Sequence, residues 1–288
     1  MIDLHVHTKI SDGSLTITEI VKLAKVKGIR HLAITDNDTT KGLREAAKIG
    51  IQTGVNIIPG IEISAYDYKK NRRAHIIGLY VQPGHMALET ICNPLIEARH
   101  EASIKMFKKI IDAGYNIEWE DVEHYSEGGT GVYEQHIMHA LLDKGYCRGI
   151  YDKLYRILFQ KPDEKRAQGI AYVPIEYIDV KKAIEAVRYA GGIAVIAHPG
   201  QMDNYDSIRE WVEIGLHGIE VYHPRHDKDD INKSLELAKK FNLVVTGGSD
   251  FHGFYAESPV DIGCKDLQYN YILELENAYK KRLCSGLY

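Results

Sequence analysis

Short apolar runs alternate with amphipathic stretches along the first third of the chain. Ile2 to Val6 and His31 to Thr35 have the composition of buried strands, whereas Thr18 to Lys27 and Thr40 to Thr53 repeat apolar residues at helical spacing and end before a glycine. Further strands are predicted at Val55 to Pro59, Ile61 to Ile63 and Ala74 to Val81. This alternation of strand and helix predicts a parallel sheet with helices outside it.

The middle of the chain has a different pattern. From about Leu88 to Gln168 it shows helical periodicity and no convincing buried strand. Ile96 to Ala113 is predicted as a long amphipathic helix, and shorter helices are predicted at Glu134 to Lys144 and Tyr151 to Phe159.

Beyond Val173-Pro174 the alternation of strands and helices returns. Helices are predicted at Val180 to Ala190, Tyr205 to Ile214 and Lys228 to Phe241, and strands at Ile193 to Ala197, Gly218 to Tyr222 and Leu243 to Gly247. The simplest architecture is an α/β barrel interrupted by a helical insertion. We therefore predict a barrel domain of residues 1–95 and 172–288 and a helical insertion domain of residues 96–171.

Composition narrows the class of protein. The chain is 44% hydrophobic and 26% charged, which is typical of a soluble globular protein. No apolar run is long enough to cross a bilayer, and the first residues lack the pattern of a secretory signal. The four cysteines are scattered and form no C-x-x-C pair, which indicates reduced thiols, so we expect a cytoplasmic protein without a membrane partner. A net charge of −4 argues against binding to duplex nucleic acid, whereas the oligomeric state stays open.

Polar residues of the metal-binding types follow several predicted strands. His5 and His7 lie two apart on the first strand, so both imidazoles point to the same side. The carboxyl ends of parallel strands converge on one face, which makes the residues at the other strand ends candidates for the same site. They are Asp12, Asp36, Asp38, Glu62, His198, Asp250 and His252, together with His75, which opens the strand Ala74 to Val81.

Each of these features has an alternative explanation when it is taken alone. A single H-x-H is more often incidental than metal-binding, and Asp12 and Asp36 could be helix N-caps. The recurrence of histidine-bearing pairs at opposite ends of the chain favours a metal site. Imidazoles and carboxylates together suit Zn, Mn or Fe, and a glutamate between histidines can bridge two ions.

The same segments resemble motifs of the polymerase and histidinol phosphatase (PHP) family. The first motifs are Asp3-Leu4-His5-Val6-His7-Thr8, Ser11-Asp12-Gly13, Ile34-Thr35-Asp36-Asn37-Asp38-Thr39 and Pro59-Gly60-Ile61-Glu62, and the later ones are Ala197-His198-Pro199 and Gly247-Gly248-Ser249-Asp250-Phe251-His252-Gly253. They occur in the family's order over nearly the whole chain. The helical middle resembles the insertion of the branch that contains nucleotide phosphatases and short-RNA 5′-exonucleases.

The resemblance implies a distorted seven-stranded (β/α) barrel with two or three divalent ions. By motif, the first ion is expected at His5, His7, Glu62 and Asp250, and the second at Glu62, His75 and His198. Asp12 and His252 are expected to hold a third ion, together with a histidine at the position of Asn37. Because an amide oxygen is a poorer ligand than imidazole, the third site is expected to be weak, empty or rebuilt with a residue such as Asp38.

A second departure from the family lies in the insertion. The branch usually carries Arg-x-His where this chain has Glu134-Gln135-His136. His136 matches and is a candidate substrate or metal contact, but an acid replaces the arginine that grips phosphate. Arg225 is the best candidate to replace that cation, although it can also be a solvated loop residue. His223 is a candidate acid or substrate contact.

One basic run lies close to the expected site. Lys69-Lys70-Asn71-Arg72-Arg73 is interpreted as a solvated hairpin tip rather than a nucleic-acid patch. Because the run immediately precedes His75, a role in attracting an anionic substrate stays open.

These residues predict a metal-dependent phosphoesterase that acts on a nucleotide, short oligonucleotide or sugar phosphate through a metal-bridged hydroxide. Glu62 and Asp250 are the expected catalytic ligands, with His223 as a third catalytic candidate. Two alternatives stay open, namely an amidohydrolase-type C–N hydrolase and a non-catalytic metal-binding regulatory module.

Overall fold

Eight β-strands and ten α-helices are present in residues 1–162, 165–264 and 266–285, which a computed structural model describes. The strands are β1 (Ile2–Asp3), β2 (His31–Ile34), β3 (Asn56–Asp67), β4 (Arg72–Leu79), β5 (Ile178–Asp179), β6 (Ile193–Ile196), β7 (Gly218–Tyr222) and β8 (Val244–Gly247). The predicted alternation of strands and helices on both sides of a helical middle is therefore observed.

Helices cover the outside of the sheet and form the middle of the chain. They are α1 (Ile17–Val26), α2 (Leu43–Thr53), α3 (Met86–Asp112), α4 (Trp119–Ser126), α5 (Glu134–Asp143), α6 (Lys153–Phe159), α7 (Val180–Tyr189), α8 (Ile208–Glu213), α9 (Lys228–Phe241) and α10 (Tyr269–Ser285). No helix in the described part of the chain combines the length and apolar character that a bilayer crossing requires.

The sheet has the order β1-β2-β3-β4-β6-β7-β8, and β5 pairs with β3 outside this path. Neighbouring strands are parallel except at β4, which runs antiparallel to both β3 and β6. The chain beyond β8 returns to the chain beyond β1, where Asp250 N donates to His5 O at 2.9 Å and His7 N donates to Phe251 O at 3.0 Å. The sheet is therefore a nearly closed barrel, which confirms the predicted fold class.

Several predicted elements have different bounds in the structure. The long helix predicted from Ile96 begins at Met86, and the strands predicted at Val55 to Pro59 and Ile61 to Ile63 are one strand, β3. The first strand was expected to reach Val6 but pairs regularly only over Ile2–Asp3, because Val6 N donates to the Thr35 hydroxyl at 3.0 Å instead of continuing the ladder. The second helix was expected from Thr40 but begins at Leu43. Gly42, directly before it, has a φ angle of 84°, a left-handed conformation that cannot continue a helix.

The described residues form two hydrophobic cores. The larger core lies between the barrel strands and the helices outside them, and α1 shows how it is built, because its buried face presents Ile17, Ile20, Val21 and Ala24 at helical spacing. The smaller core joins α3 to the insertion through Met106, Ile110, Ile137, Leu141 and Leu158, among others.

The long helix α3 connects the two cores. Leu88 and Cys92 pack into the barrel core, whereas Ala102 and Met106 pack into the smaller one. The division predicted between residues 95 and 96 thus falls inside a continuous helix, and the two-domain description stays a prediction. What matters for function is that α3 holds the insertion against the end of the barrel where the polar strand-end residues gather.

Candidate metal centre

The two histidines of the H-x-H motif meet inside the barrel mouth. His5 and His7 follow β1, both side chains are fully buried, and their Nε2 atoms lie 3.2 Å apart. The period of two along an extended chain explains why both rings point to the same side. The pair of adjacent histidines expected in a metal site is therefore present in the described structure.

Glu62 lies at the centre of the remaining candidates. Its Oε1 is 2.9 Å from His75 Nδ1, 3.1 Å from His198 Nε2 and 3.5 Å from His5 Nε2, and its Oε2 is 3.3 Å from His7 Nε2. Asp250 Oδ1 is 3.4 Å from His5 Nε2 and 3.3 Å from His7 Nε2. One glutamate thus contacts residues from both expected ion sites, as a bridging ligand must.

A third group lies on the other side of His7. Asp12 Oδ1 is 3.4 Å from His7 Nδ1 and 3.5 Å from His252 Nε2. Asn37 occupies the remaining place in this group, where its Nδ2 donates to Asp12 Oδ1 at 2.9 Å and its Oδ1 is buried without a hydrogen-bond partner. The Asn37 amide therefore donates a hydrogen bond to the Asp12 carboxylate, at a position where a histidine side chain would bind a metal ion.

Two of the ligands expected for the first two ions have strained backbones. Asp250 and His198 have φ angles of 51° and 27°, in the left-handed region that residues with a Cβ rarely adopt. Such strain persists only where the surrounding structure imposes it, and it concentrates at functional sites. At Asp250, the hydrogen bond from its N–H to His5 O holds the turn and directs the carboxylate toward the two histidines.

The donor set of this cluster fits divalent metal ions. Burial disfavours charge on five of its members, but mutual attraction outweighs it there, so the pKa values of His5 and His7 lie well above the usual value and those of Asp12, Glu62 and Asp250 lie well below it. At His75 burial prevails and lowers the pKa to about 4. Buried carboxylates need a counter-charge, which protonated imidazoles or a bound metal ion can provide. Four overlapping triads of such donors, each within 4.8 Å, are present among the described residues.

The alternative explanation of Asp12 and Asp36 as helix N-caps is wrong. The N-cap of α1 is Thr16 and that of α2 is Gly42. Asp36 is instead buried and accepts hydrogen bonds from the Thr8 N–H at 2.8 Å and the Ser11 hydroxyl at 2.6 Å, which fix the loop that carries Asp12.

Asp38 does not rebuild the third group. Its carboxylate accepts from Ser64 N at 2.7 Å and pairs with the Arg99 guanidinium, so both oxygens are engaged away from Asp12 and His252. The suggestion that Asp38 could replace the missing histidine is therefore wrong, because the side chain is committed to a buried ion pair.

Glu220 is a site residue that sequence reasoning missed. This buried carboxylate on β7 accepts from His198 N at 2.8 Å and lies 3.0 Å from His5 Nδ1. It thereby orients the His5 ring so that Nε2 faces the cluster. The available signal was an acid within the otherwise apolar strand Gly218-Ile219-Glu220-Val221-Tyr222.

We expect Glu220→Gln to weaken Mn²⁺ binding about tenfold, because a carboxylate behind a ligating imidazole fixes its orientation and increases its basicity. Calorimetric titration of the metal-free protein with Mn²⁺ measures this change. Glu236→Gln, on the exposed face of α9, provides the charge-matched control. Equal affinities in all three proteins would contradict the orienting role.

We expect Asn37→His to strengthen binding of an additional ion about tenfold, since it adds an imidazole beside Asp12 and His252. Elemental analysis after equilibration with Mn²⁺ gives the number of ions per chain. Asn37→Leu, which adds no ligand, is the control. An unchanged number of ions in Asn37→His would mean that the third group does not depend on residue 37.

A cavity of about 530 Å³ opens beside the cluster, between the barrel and the insertion. Asp12, Glu62, His75, His198 and Asp250 line its floor, whereas Arg73, Glu134, Tyr155, Lys161 and Tyr177 belong to its walls. A substrate in this cavity would contact the candidate metal ligands on one side and the insertion on the other.

Arg73 was interpreted as part of a solvated hairpin tip, and for this residue that interpretation is wrong. Its guanidinium lies over the Tyr177 ring at 4.3 Å, one terminal nitrogen is 2.9 Å from His75 Nε2, and its buried Nε has no hydrogen-bond partner. The preceding residues do lie at the tip of the β3–β4 hairpin, where Lys69 pairs with Glu210 and Arg72 with Asp206. Arg73 alone of this run lines the cavity.

The remaining predicted contacts lie at different depths. His223 lines the cavity with Nε2 3.3 Å from Asp250 Oδ2, and Arg225 lines it in an ion pair with Glu257. His136 is buried, accepts from Tyr133 N at 3.1 Å, and is not among the described residues that line the cavity. Its predicted contact with metal or substrate gains no support from this position.

Known proteins resemble this chain over most of its length. The profile of the PHP domain family matches residues 3–188. A phosphoribosyl 1,2-cyclic phosphate 1,2-diphosphodiesterase from Eggerthella lenta is 41% identical over 89% of this chain and 96% of its own. A 3′,5′-nucleoside bisphosphate phosphatase from Chromobacterium violaceum is 31% identical, with 87% of each chain covered. A 5′-3′ exoribonuclease from Haemophilus influenzae is 30% identical over 87% of this chain and 89% of its own.

Two solved structures share this fold over nearly the whole chain. A protein from Bifidobacterium adolescentis, assigned as a metal-dependent phosphoesterase, superposes with a TM-score of 0.85 at 27% identity and covers 95% of this chain and 94% of its own. A Chromobacterium violaceum protein described as an amidohydrolase, solved with sulfate and without metal, has a TM-score of 0.82 at 30% identity and 96% coverage of each chain.

Proposed function

The chain belongs to the PHP domain family and is a metal-dependent phosphoesterase, and from that premise we propose that its substrate is a sugar phosphate that also carries a cyclic phosphate diester. The observation that carries the proposal is the 41% identity, over nearly the whole of both chains, to the Eggerthella lenta enzyme named for such a substrate. The cation-lined cavity beside the metal ligands supports it, because the substrate would need a place for a second phosphate.

We propose that one ion is held by His5, His7, Glu62 and Asp250 and a second by Glu62, His75 and His198, with a weaker third group at Asp12 and His252 beside Asn37. The donor chemistry suits Mn, Zn or Fe. When bound, such ions supply a nucleophile at neutral pH and stabilise negative charge on phosphoryl oxygens. The chain's contribution is to hold these ligands in a buried, fixed arrangement.

Three further residues of the cavity, Arg73, Arg225 and His223, bind and orient the substrate in this proposal. Arg73 presents a planar guanidinium beside His75 and donates to phosphate oxygens. Arg225, which the sequence suggested for this role, is already paired with Glu257 and contributes from the rim.

His223 is positioned to donate a hydrogen bond to the leaving oxygen. The Arg225 N–H donates to His223 Nδ1 at 3.2 Å, so the neutral ring carries its proton on Nε2, beside Asp250. Burial lowers the pKa of His223, although the carboxylates of Asp250 and Glu220 oppose that shift. The ring therefore acts mainly as a neutral Nε2–H donor.

A second candidate substrate is a nucleoside 3′,5′-bisphosphate or a short RNA. The relatives from Chromobacterium violaceum and Haemophilus influenzae favour this class at about 30% identity. A nucleoside bisphosphate carries two phosphoryl groups, as does a sugar phosphate with a cyclic phosphate, so the preference for the latter rests on the higher identity of the Eggerthella lenta relative. C–N bond hydrolysis, which the description of one solved structure as an amidohydrolase favours, has less support. Glu62 stands where a bridging ligand is expected, and the named activities of the curated relatives concern phosphate esters.

The test is a hydrolysis screen with the Mn²⁺-loaded protein. It compares ribose 5-phosphate 1,2-cyclic phosphate, 2′,3′-cyclic nucleotides, adenosine 3′,5′-bisphosphate and a short 5′-phosphorylated RNA. The proposal requires the highest kcat/KM for the cyclic phosphate of the phosphosugar. A higher value for the bisphosphate or the RNA would replace it with the second candidate.

A further inference from the structure

We propose that Glu134 is a specificity-determining residue that accepts a hydrogen bond from a free sugar hydroxyl of the substrate. The inference rests on the proposed function and extends it to a single contact, between Glu134 and one hydroxyl of the substrate. In a ribose whose oxygens at carbons 1, 2 and 5 all carry phosphate, the 3-hydroxyl is the single free hydroxyl on the sugar. A site that accepts a hydrogen bond from this hydroxyl discriminates against analogues that lack it.

The structure holds the Glu134 carboxylate in a fixed position. Glu134 is the first residue of α5 and belongs to the cavity wall. The Tyr155 hydroxyl donates to its Oε2 at 2.6 Å, and the Tyr155 ring packs against Tyr151, whose hydroxyl accepts from Gln135 at 2.9 Å. Partners on α5, α6 and the turn between them thus fix the carboxylate, so its other oxygen has a defined direction toward a ligand.

The charge of Glu134 is balanced from a distance and not by direct pairing. It forms no salt bridge with any described residue, in contrast to Glu257 across the cavity, which pairs with Arg225. Burial raises the pKa of Glu134, and the Tyr155 hydroxyl together with the positive charges of Lys161, Arg73 and Arg99 opposes this rise. Since no described residue donates to its Oε1, this oxygen is available to a hydrogen-bond donor of a ligand.

The neighbourhood of Glu134 fits a phosphosugar. Arg73 and Lys161 both lie near the Tyr177 ring, with the Arg73 guanidinium carbon at 4.3 Å and the Lys161 Nζ at 5.8 Å from its centre. Their positive charges can bind a phosphate, and they lie beside the Glu134 carboxylate, which when ionised only accepts hydrogen bonds. A hydroxyl satisfies a carboxylate, whereas a second phosphate there brings two acceptors and two negative charges together.

The experiment compares two substrates that differ by one hydroxyl, ribose 5-phosphate 1,2-cyclic phosphate and its 3-deoxy analogue. The wild-type protein is expected to prefer the hydroxyl-bearing substrate in kcat/KM by about 10- to 100-fold, the range for a hydrogen bond to a charged group. Glu134→Ala is expected to bring the ratio close to one, and Glu134→Gln, which keeps a neutral acceptor, to an intermediate value. Glu123→Ala, an exposed acid on α4, should keep the wild-type ratio.

The ratio separates this role from a structural one, because misfolding lowers turnover of both substrates equally. Calorimetric binding of ribose 5-phosphate and 3-deoxyribose 5-phosphate to the metal-free proteins repeats the comparison without turnover. A wild-type ratio retained in Glu134→Ala in these measurements would overturn the assignment. If the wild-type protein hydrolyses bisphosphates but no cyclic phosphate, the proposed function fails, and the binding ratios alone decide the role of Glu134.

Discussion

Glu62→Gln is expected to lower kcat/KM by about 10³-fold or more, since even residues that only orient metal ligands contribute about 10- to 100-fold. Glu62 does more than orient. Its two oxygens lie within 3.5 Å of nitrogens of four different histidines, from both proposed ion sites. The glutamine amide keeps the shape but removes the charge and presents an N–H group where a metal ligand is required.

Metal analysis accompanies the kinetic measurement for Glu62→Gln. The variant is expected to retain fewer ions per chain after equilibration with Mn²⁺, while circular dichroism shows an unchanged fold. Glu213→Gln makes the same chemical change on an exposed side chain of α8 and should behave like the wild-type protein. Wild-type activity in Glu62→Gln would contradict the two-ion arrangement.

Local sequence patterns predict those site residues that lie at the ends of strands. His5 and His7 share a side because an extended chain alternates with a period of two, and Asp250 and His198 follow apolar runs that become β8 and β6. Such residues converge in any parallel barrel, so their grouping follows from the strand-helix alternation. The barrel itself was predictable for the same reason, apart from the reversed direction of β4.

Other parts of the site depend on contacts that no local pattern contains. Arg99 reaches Asp38 across 61 positions of sequence, and this buried ion pair removes Asp38 from the metal group. Glu220 contacts His5 across 215 positions. Both pairings depend on the tertiary packing of α3 and β7 against the barrel mouth.

Arg73 is an intermediate case, because the strand periodicity indicated its position in the cavity whereas the basic residues next to it indicated a solvated tip. Arg73 and His75 lie two apart on β4 and therefore share a face, whereas Arg72 faces the opposite way toward Asp206. The run of basic residues favoured a solvated tip. The alternation of side chains along β4 therefore places Arg73 in the cavity and Arg72 on the opposite side of the strand.

Arg73→Met is expected to lower kcat/KM about 10²-fold, because a guanidinium that donates to phosphate forms charge-assisted hydrogen bonds of about 1.5–3 kcal/mol each. Methionine retains an apolar stem against Tyr177 and removes the charge. Arg73→Lys should recover part of the loss, since it restores the charge without the planar fork. Inorganic phosphate should also inhibit Arg73→Met more weakly than it inhibits the wild-type protein.

Arg72→Met is the matched control for this prediction, because it removes the same group from the neighbouring position on the outer face of β4. It should keep kcat/KM within a few-fold of the wild-type value. Metal content distinguishes the two possible roles of Arg73, which also contacts His75. Loss of activity with full metal content supports a phosphate contact. Loss of the ions together with the activity would instead mean that Arg73 acts by positioning His75, and the substrate phosphate would then have to be bound by Arg225 and Lys161.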